Sequence, residues 1–363
     1  MERRISLEVL EDFCRRALVS AGVPEGDAAI VADVLITSDR LGIDSHGINR
    51  LKAIYLDRIR EGILNPVTEI AVVRDRAATA LLDGNNGMGH VVSHRAMEMC
   101  ITKAGTYGLG MVAVRNSSHY GIAGYYGLMA ARAGMIGITG TNARPSVAPT
   151  FGVENMLGTN PLTFVMPSDE PFPFFLDCAT SVSQRGKFEY YAKTGKDLPH
   201  GWAIDRNGES KTNSVEVLRD LITGNAALAP LGGIGEENAG YKGYGYATVV
   251  EILSAALQSG PFLSALTGMQ NGEKAPYRLG HFFIAIDVEH FTGIDEFKKS
   301  TGDILRELRN SEKMPGAERI YTAGEKEYLA SLDRMKNGVP VNETLLQEIN
   351  QIAEEWGVST VSF

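Results

Sequence analysis

The apolar pattern changes period twice along this chain, and that constrains the fold more than any other feature. Through residue 62 the apolar positions recur at helical spacing. Leu7, Leu10, Phe13, Ala17 and Leu18 follow a capping Ser6, and Val31, Val34 and Leu35 follow Pro24 toward Gly42. No strand signal interrupts them. From Thr79 short apolar runs alternate with small-residue helices. Strands are expected at 79–82, 109–114, 135–139, 162–166, 172–177 and 282–287, and helices at 90–104 and 121–133, with Gly134 placed to stop the second. After residue 287 the pattern returns to charged helices at 294–311 and 342–356, joined by a Gly/Pro-bearing connection. Such an order predicts an α+β fold, with a helical domain built from both chain ends (1–75 and 292–363) and a mixed-sheet domain between them (76–291).

Composition narrows the partners. A net charge of −9 with both signs mixed along the chain excludes nucleic acid and a membrane surface as the main partner. No uninterrupted apolar run approaches the roughly 18–20 residues that span a bilayer. Cys14, Cys100 and Cys178 are odd in number and far apart, as reduced thiols are, so a cytoplasmic protein is expected.

Four motifs carry candidate chemistry. In Asp44-Ser45-His46-Gly47-Ile48-Asn49-Arg50, Asp44 or Ser45 can cap a helix running to Gly62, which sets His46 and Arg50 on one face of its first turns. A guanidinium fork at a helix start suits a carboxylate, and the imidazole beside it can titrate. An ordinary cap with a surface Arg explains the same residues. In Arg115-Asn116-Ser117-Ser118-His119-Tyr120-Gly121, His119 stands just beyond a strand end, where sheet proteins tend to bind ligands; it can serve as acid or base, or simply pack. Phe175-Leu176-Asp177-Cys178-Ala179-Thr180-Ser181 ends a strand with groups able to hold a ribose, an amide or an imidazole, or with a plain cap. Lys242-Gly243, after the loop Gly232-Gly233-Ile234-Gly235 and ahead of an apolar helix at 247–258, has the make-up of a phosphate cradle or of a flexible loop.

The missing motifs matter equally. Neither G-x-G-x-x-G nor G-x-x-x-x-G-K-[ST] occurs, so a Rossmann or P-loop site has no support. His90 and His94 have the spacing of two metal ligands, but no Glu or Cys completes a set and no metal site is expected. Ser45, His46 and Asp177 are the residue types of a hydrolase triad without a nucleophile elbow.

Taken together, DRLGIDSHGINRL (39–51), RNSSHYGIAGYYGLMAARAGMIGITGTN (115–142), GTNPLTF (158–164), LDCATSVSQRGKFE (176–189), GWAIDRNG (201–208), GYKGYGYATVVEILS (240–254) and HFFIAID (281–287) resemble the malate/L-lactate dehydrogenase family of the second type. That family is unrelated to the Rossmann-fold malate and lactate dehydrogenases. The resemblance spans nearly the whole chain, and seven blocks in order are highly specific. It implies a homodimer or higher oligomer, with a helical domain and a non-Rossmann cofactor domain carrying a largely antiparallel sheet. It also implies NAD or NADP and the interconversion of a small 2-hydroxy acid with its 2-oxo acid.

Carried over, His119 matches the general acid/base, with His46, Ser45 and Asp177 as further active-site positions, and Arg50 matches the substrate-carboxylate binder. Asn142 and Arg144 fall near the substrate. His119, Tyr120, Gly121, Asp177, Cys178, Ala179, Lys242, Gly243 and Glu325 match cofactor contacts. Malate is favoured by Arg144 as a second cation and by the archaeal look of the tail around Glu318-Arg319-Ile320 and Gly324-Glu325-Lys326. Lactate, sulfolactate or ureidoglycolate dehydrogenases and cyclic imino acid reductases on the same scaffold are the alternatives. A non-catalytic binding protein is opposed by intact His119, Arg50 and Asp177.

Overall fold

The computed structural model describes residues 3–361. They pack as two units. One holds the chain up to Thr139, Thr163–Leu176 and everything from Phe283; the other holds Gly140–Leu162 and Asp177–Phe282.

In the first unit the expected amino-terminal helices form at Leu7–Ser20 and Glu25–Arg40. Ser6 Oγ accepts the Val9 N–H at 3.3 Å, and Asn342 likewise caps Glu343–Trp356 by accepting the Leu345 N–H at 2.9 Å. Their inward faces meet in one core through Leu10, Phe13, Leu18, Val31, Leu35, Ile349 and Ile352. Each large side chain buried this way contributes about 1.5–3 kcal/mol.

Two expectations for this unit fail. An unexpected strand stands ahead of the amino-terminal helices: Arg3–Ile5 pairs antiparallel with Val339–Val341. Only Ile5 of those three residues is buried, so the sequence shows no alternation to read. A helix, Glu325–Asn337, also occupies what reads as a Gly/Pro-bearing connection. It buries only Glu325 and Ser331 completely, which leaves no apolar stripe.

The unit's sheet has seven strands in the order Ala71–Asp75, Thr79–Asp83, Leu109–Ser117, Leu279–Asp287, Met135–Thr141, Leu162–Met166, Phe174–Cys178. Four of these strands run on at one end into residues of the second unit. The first pair is antiparallel and the second parallel, in a mixed, mostly antiparallel sheet and an α+β fold as expected. The edge strand Ala71–Asp75 is exposed at every position, so it carries no inward pattern.

The second unit holds helices Arg185–Lys193, Ser214–Thr223 and Gly240–Ser254 and the antiparallel pair Ala203–Asp205 with Ala226–Leu228. They pack around Val147, Leu157, Phe188, Val217, Leu228 and Ala247. The helix expected at 247–258 starts at Gly240, so Lys242 lies inside its first turn and not ahead of it. Among the described residues no helix is long and apolar enough to cross a membrane.

Candidate active site

The first unit gathers its polar chemistry around the turn after helix Glu25–Arg40. Asp39, near the end of that helix, is 2% exposed, and its carboxylate accepts the Ile48 N–H at 2.8 Å. A Cβ at residue 47 would stand 1.8 Å from Asp39 Oδ1, so only glycine lets the chain pass. Arg334 holds the same turn from outside, donating to the Asp39 carbonyl and pairing with the Asp44 carboxylate.

These anchors overturn the expected continuous helix from Ser45 to Gly62. The segment runs as 3-10 turns at Asp44–His46 and Ile48–Arg50, a π-helix at Leu51–Leu56 and an α-turn at Asp57–Arg60. Asp44 and Ser45 cap nothing, because Asp44 pairs with Arg334 and Ser45 Oγ lies 2.8 Å from His46 Nδ1. The Ile48 amide, drawn to Asp39, is lost to any regular helix. Even so, His46 and Arg50 stay together, since Arg50 Nε donates to the Ser45 carbonyl at 2.5 Å. Among the described residues the terminal guanidinium nitrogens have no recorded partner, which leaves a fork available to a carboxylate.

His119 reaches the same place from the strand Leu109–Ser117. Gly89 opens the helix Gly89–Tyr107 and donates its N–H to Ser118 Oγ at 2.8 Å. A Cβ there would stand 2.2 Å from the Ser118 carbonyl oxygen. This close approach clamps the helix start, with His90, to the strand end. The rings of His119 and His46 then stack, with centroids 5.6 Å apart and planes within 15°. The wider turn of the π-helix swings Tyr55 inward, and its hydroxyl lies 2.6 Å from His119 Nδ1. Such bulges recur at functional sites.

The electrostatics keep both imidazoles neutral at pH 7. Burial, then the Arg50 charge, pushes His46 down to about 4. Burial, followed by His46, His90, Arg58 and Arg50, holds His119 well below its ordinary value. An anion bound at Arg50 reverses part of that field and favours a proton on the rings.

Asp39 is pushed the other way, up to about 7, chiefly by burial. Its folded value lies above the ordinary carboxylate value of about 3.9, so folding disfavours the ionised form. The native state therefore loses stability as pH rises from about 4 to about 7, with no further loss above, by at most ~4 kcal/mol. Asp39→Asn keeps an acceptor for Ile48 and cannot ionise. The wild-type stability minus that of the variant, from urea unfolding, should fall between those pH values; a constant difference would refute it.

Other expected site residues of this unit sit in structural roles. Tyr120 is buried, with its ring stacked on Tyr126 at 5.1 Å. Gly121 donates its N–H to His119 Nδ1 at 3.3 Å. Glu325 is buried under Arg319 and accepts the Thr322 N–H at 3.3 Å. His90 is fully buried against the Tyr55 ring, whereas His94 lies 3.6 Å from Glu98.

The second unit carries the remaining candidates. Asn142 is buried, accepting the Gly280 N–H at 2.9 Å, while Arg144 is exposed with no recorded partner among the described residues. Asp177, Cys178 and Ala179 follow one another, half-buried, at a strand end. Burial, then Asp177, pushes the Cys178 thiol up. Lys242 is exposed and Gly243 buried in the first turn of helix Gly240–Ser254.

Comparison with known proteins over the whole chain gives the family. The model of the malate/L-lactate dehydrogenase family matches residues 5–350. The chain belongs to that family. It is 46% identical to a malate dehydrogenase of Pyrococcus horikoshii, covering 98% of this chain and 96% of the relative. It is 37% identical to an L-sulfolactate dehydrogenase of Methanocaldococcus jannaschii, covering 99% and 96%. A solved malate dehydrogenase from Entamoeba histolytica superposes with a TM-score of 0.95 at 45% identity, covering 99% of each chain.

In this malate/L-lactate dehydrogenase family member, sequence reasoning passed over Asp39, Tyr55, Asn160 and Glu251. Asn160 donates to Glu251 at 2.8 Å, and Glu251 accepts the Leu263 N–H at 2.9 Å, a buried knot inside the second unit. Its signal was present in the GTNPLTF and GYKGYGYATVVEILS blocks. Tyr55 reads in the sequence as one more apolar position of a helix, which hides its hydroxyl.

Proposed function

We propose that this protein is a nicotinamide-dependent dehydrogenase that interconverts malate and oxaloacetate. The observation that carries the reading is the free Arg50 fork beside the stacked, neutral His46–His119 pair; the likeness to malate dehydrogenases supplies the substrate. Arg50 takes the carboxylate next to the reacting carbon, and His119 holds or receives the hydroxyl proton, with His46 and Ser45 lining the same site. Asn142 and Arg144, in the second unit, are the further substrate positions that the resemblance implies.

NAD or NADP would be held by residues of the second unit. Thr150 Oγ1 there is buried without a partner and lines a cavity of about 270 Å³ with Gly152, Gly208, Gly233 and Gly235. An orphaned hydroxyl among glycine backbone suits ribose or phosphate oxygens. A neighbouring cavity of about 420 Å³, walled by Pro149, Met156, Leu157, Ile252 and Phe262, suits a heteroaromatic base. Asp177, Cys178, Ala179, Lys242 and Gly243 add polar contacts. When bound, the nicotinamide ring supplies or accepts the hydride at the substrate's C2. The family's dimer is the form in which we expect it to act.

The test is a panel of malate, lactate, sulfolactate and ureidoglycolate, each with NAD and NADP, followed by nicotinamide absorbance. Malate should give the highest kcat/KM. Turnover confined to lactate, or none with any acid, would overturn the proposal. Sulfolactate is the second reading, favoured by the 37% identity to an L-sulfolactate dehydrogenase and separated by the same panel.

A further inference from the structure

Two donors meet one nitrogen in this site. The Tyr55 hydroxyl lies 2.6 Å from His119 Nδ1, and the Gly121 N–H donates to the same atom at 3.3 Å. A backbone N–H has no lone pair, so Nδ1 must present its own. With Nδ1 bare, the neutral ring carries its proton on Nε2, and the Tyr55 hydroxyl must be donating as well. Nε2 is then an N–H. In that state it donates to the carbonyl oxygen of a 2-oxo acid and cannot take the hydroxyl proton of a 2-hydroxy acid.

Turnover needs another state. When the Nε2–H bond breaks and an O–H bond forms on the substrate, a neutral imidazole results only if Nδ1 already holds a proton. That proton faces the Gly121 N–H, hydrogen against hydrogen. Of the two partners, only the hydroxyl can reverse, rotating so that its oxygen accepts Nδ1–H. We propose that Tyr55 is a positioning residue that sets which nitrogen of His119 carries the proton, donating to Nδ1 at rest and accepting from it once His119 is protonated. This rests on the reading of His119 as the proton carrier of a 2-hydroxy acid dehydrogenase.

The surroundings fit this role. Tyr55 is fully buried, and its ring lies 4.7 Å from that of His90 and 5.9 Å from that of His119, centroid to centroid, which leaves the hydroxyl little freedom. The groups facing His119 are His46 and Arg50 from the 3-10 turns, Arg58 from the turn beyond Tyr55, and His90 from the helix behind; each disfavours a charged ring. Burial holds the Tyr55 phenol well above its ordinary value, so it stays protonated. Within this set of neighbours, a protonated Nδ1 depends on the Tyr55 oxygen.

Tyr55→Phe keeps the ring and removes that oxygen. The kcat for reduction should fall about tenfold to a hundredfold, the range for losing a hydrogen bond to a charged group. KM for acid and cofactor should stay within about twofold. The alkaline limb of the kcat profile should move down by about one pH unit, because the protonated ring becomes harder to form. Wild-type kcat with an unmoved limb overturns the proposal. So does a loss of kcat accompanied by raised KM and a lowered melting temperature, which marks a packing role only.

A second measurement stands apart from turnover. In protein labelled with 15N-histidine, with His119 assigned through His119→Gln, the resting enzyme should show a protonated Nε2 and a bare, hydrogen-bonded Nδ1. The Nδ1 signal should shift toward a free imine nitrogen in Tyr55→Phe. A protonated Nδ1 at rest, or no shift in the variant, overturns the proposal. If the wild type turns over no 2-hydroxy or 2-oxo acid, the functional reading fails by itself, and the nitrogen spectra still decide the role of Tyr55.

Discussion

His119→Ala should lower kcat by about 10²- to 10⁴-fold, the usual worth of a positioned general acid or base. The fold should survive, because the ring is half-buried and the polar anchors of the turn, Asp39 to Ile48 and Arg334 to Asp44, do not pass through it. KM for the acid should change little, since the carboxylate is assigned to Arg50. The check is steady-state kinetics in the reduction direction beside a thermal melt. Near-native turnover in a folded variant would transfer the proton-carrying role to His46, whose ring is parallel and close enough to take it.

Arg50→Lys should raise KM for the 2-hydroxy or 2-oxo acid about tenfold to a hundredfold, with the KM for NAD(P) unchanged. Arg50 Nε is fixed on the Ser45 carbonyl, which sets the plane of the guanidinium and aims its two terminal nitrogens together. An ammonium has no such anchor and no fork. Charge-assisted hydrogen bonds contribute about 1.5–3 kcal/mol each, the size of the predicted rise. Arg50 also disfavours charge on both imidazoles. Arg50→Ala, which removes that charge altogether, should move the pH profile upward. Unchanged KM in the lysine variant would remove Arg50 from the substrate site.

The helices and strands were legible wherever one face is buried against a core. Leu10, Phe13 and Leu18 declare one helix, and the run from Leu109 declares a strand, because burial selects residues at the period of the element. The exposed edge strand Ala71–Asp75, the three-residue strand Arg3–Ile5 and the charged helix Glu325–Asn337 left no such imprint. At the site, residue identity was legible and local geometry was not. His46, Arg50 and His119 were found by their chemistry. The route that joins them depends on a buried Asp39 eight residues before Gly47, and local helical spacing contains nothing that signals a side chain filling the path of a helix. Tyr55 was hidden for a related reason: a π-turn moves a residue off the face that 3.6-residue periodicity assigns to it.

The pairing of Arg3–Ile5 with Val339–Val341 joins residues that are synthesised far apart in time. At about 5–20 residues per second, Arg3–Ile5 waits on the order of 20–70 s on the ribosome before its partner emerges. During that interval Ile5 and the open edge beside it are available to chaperones, and Arg334, which braces the turn bearing His46, has not yet been synthesised for most of it. In the nascent polypeptide the turn bearing His46 is therefore braced only after Arg334 has emerged, and the edge beside Ile5 stays open until Val339–Val341 follow.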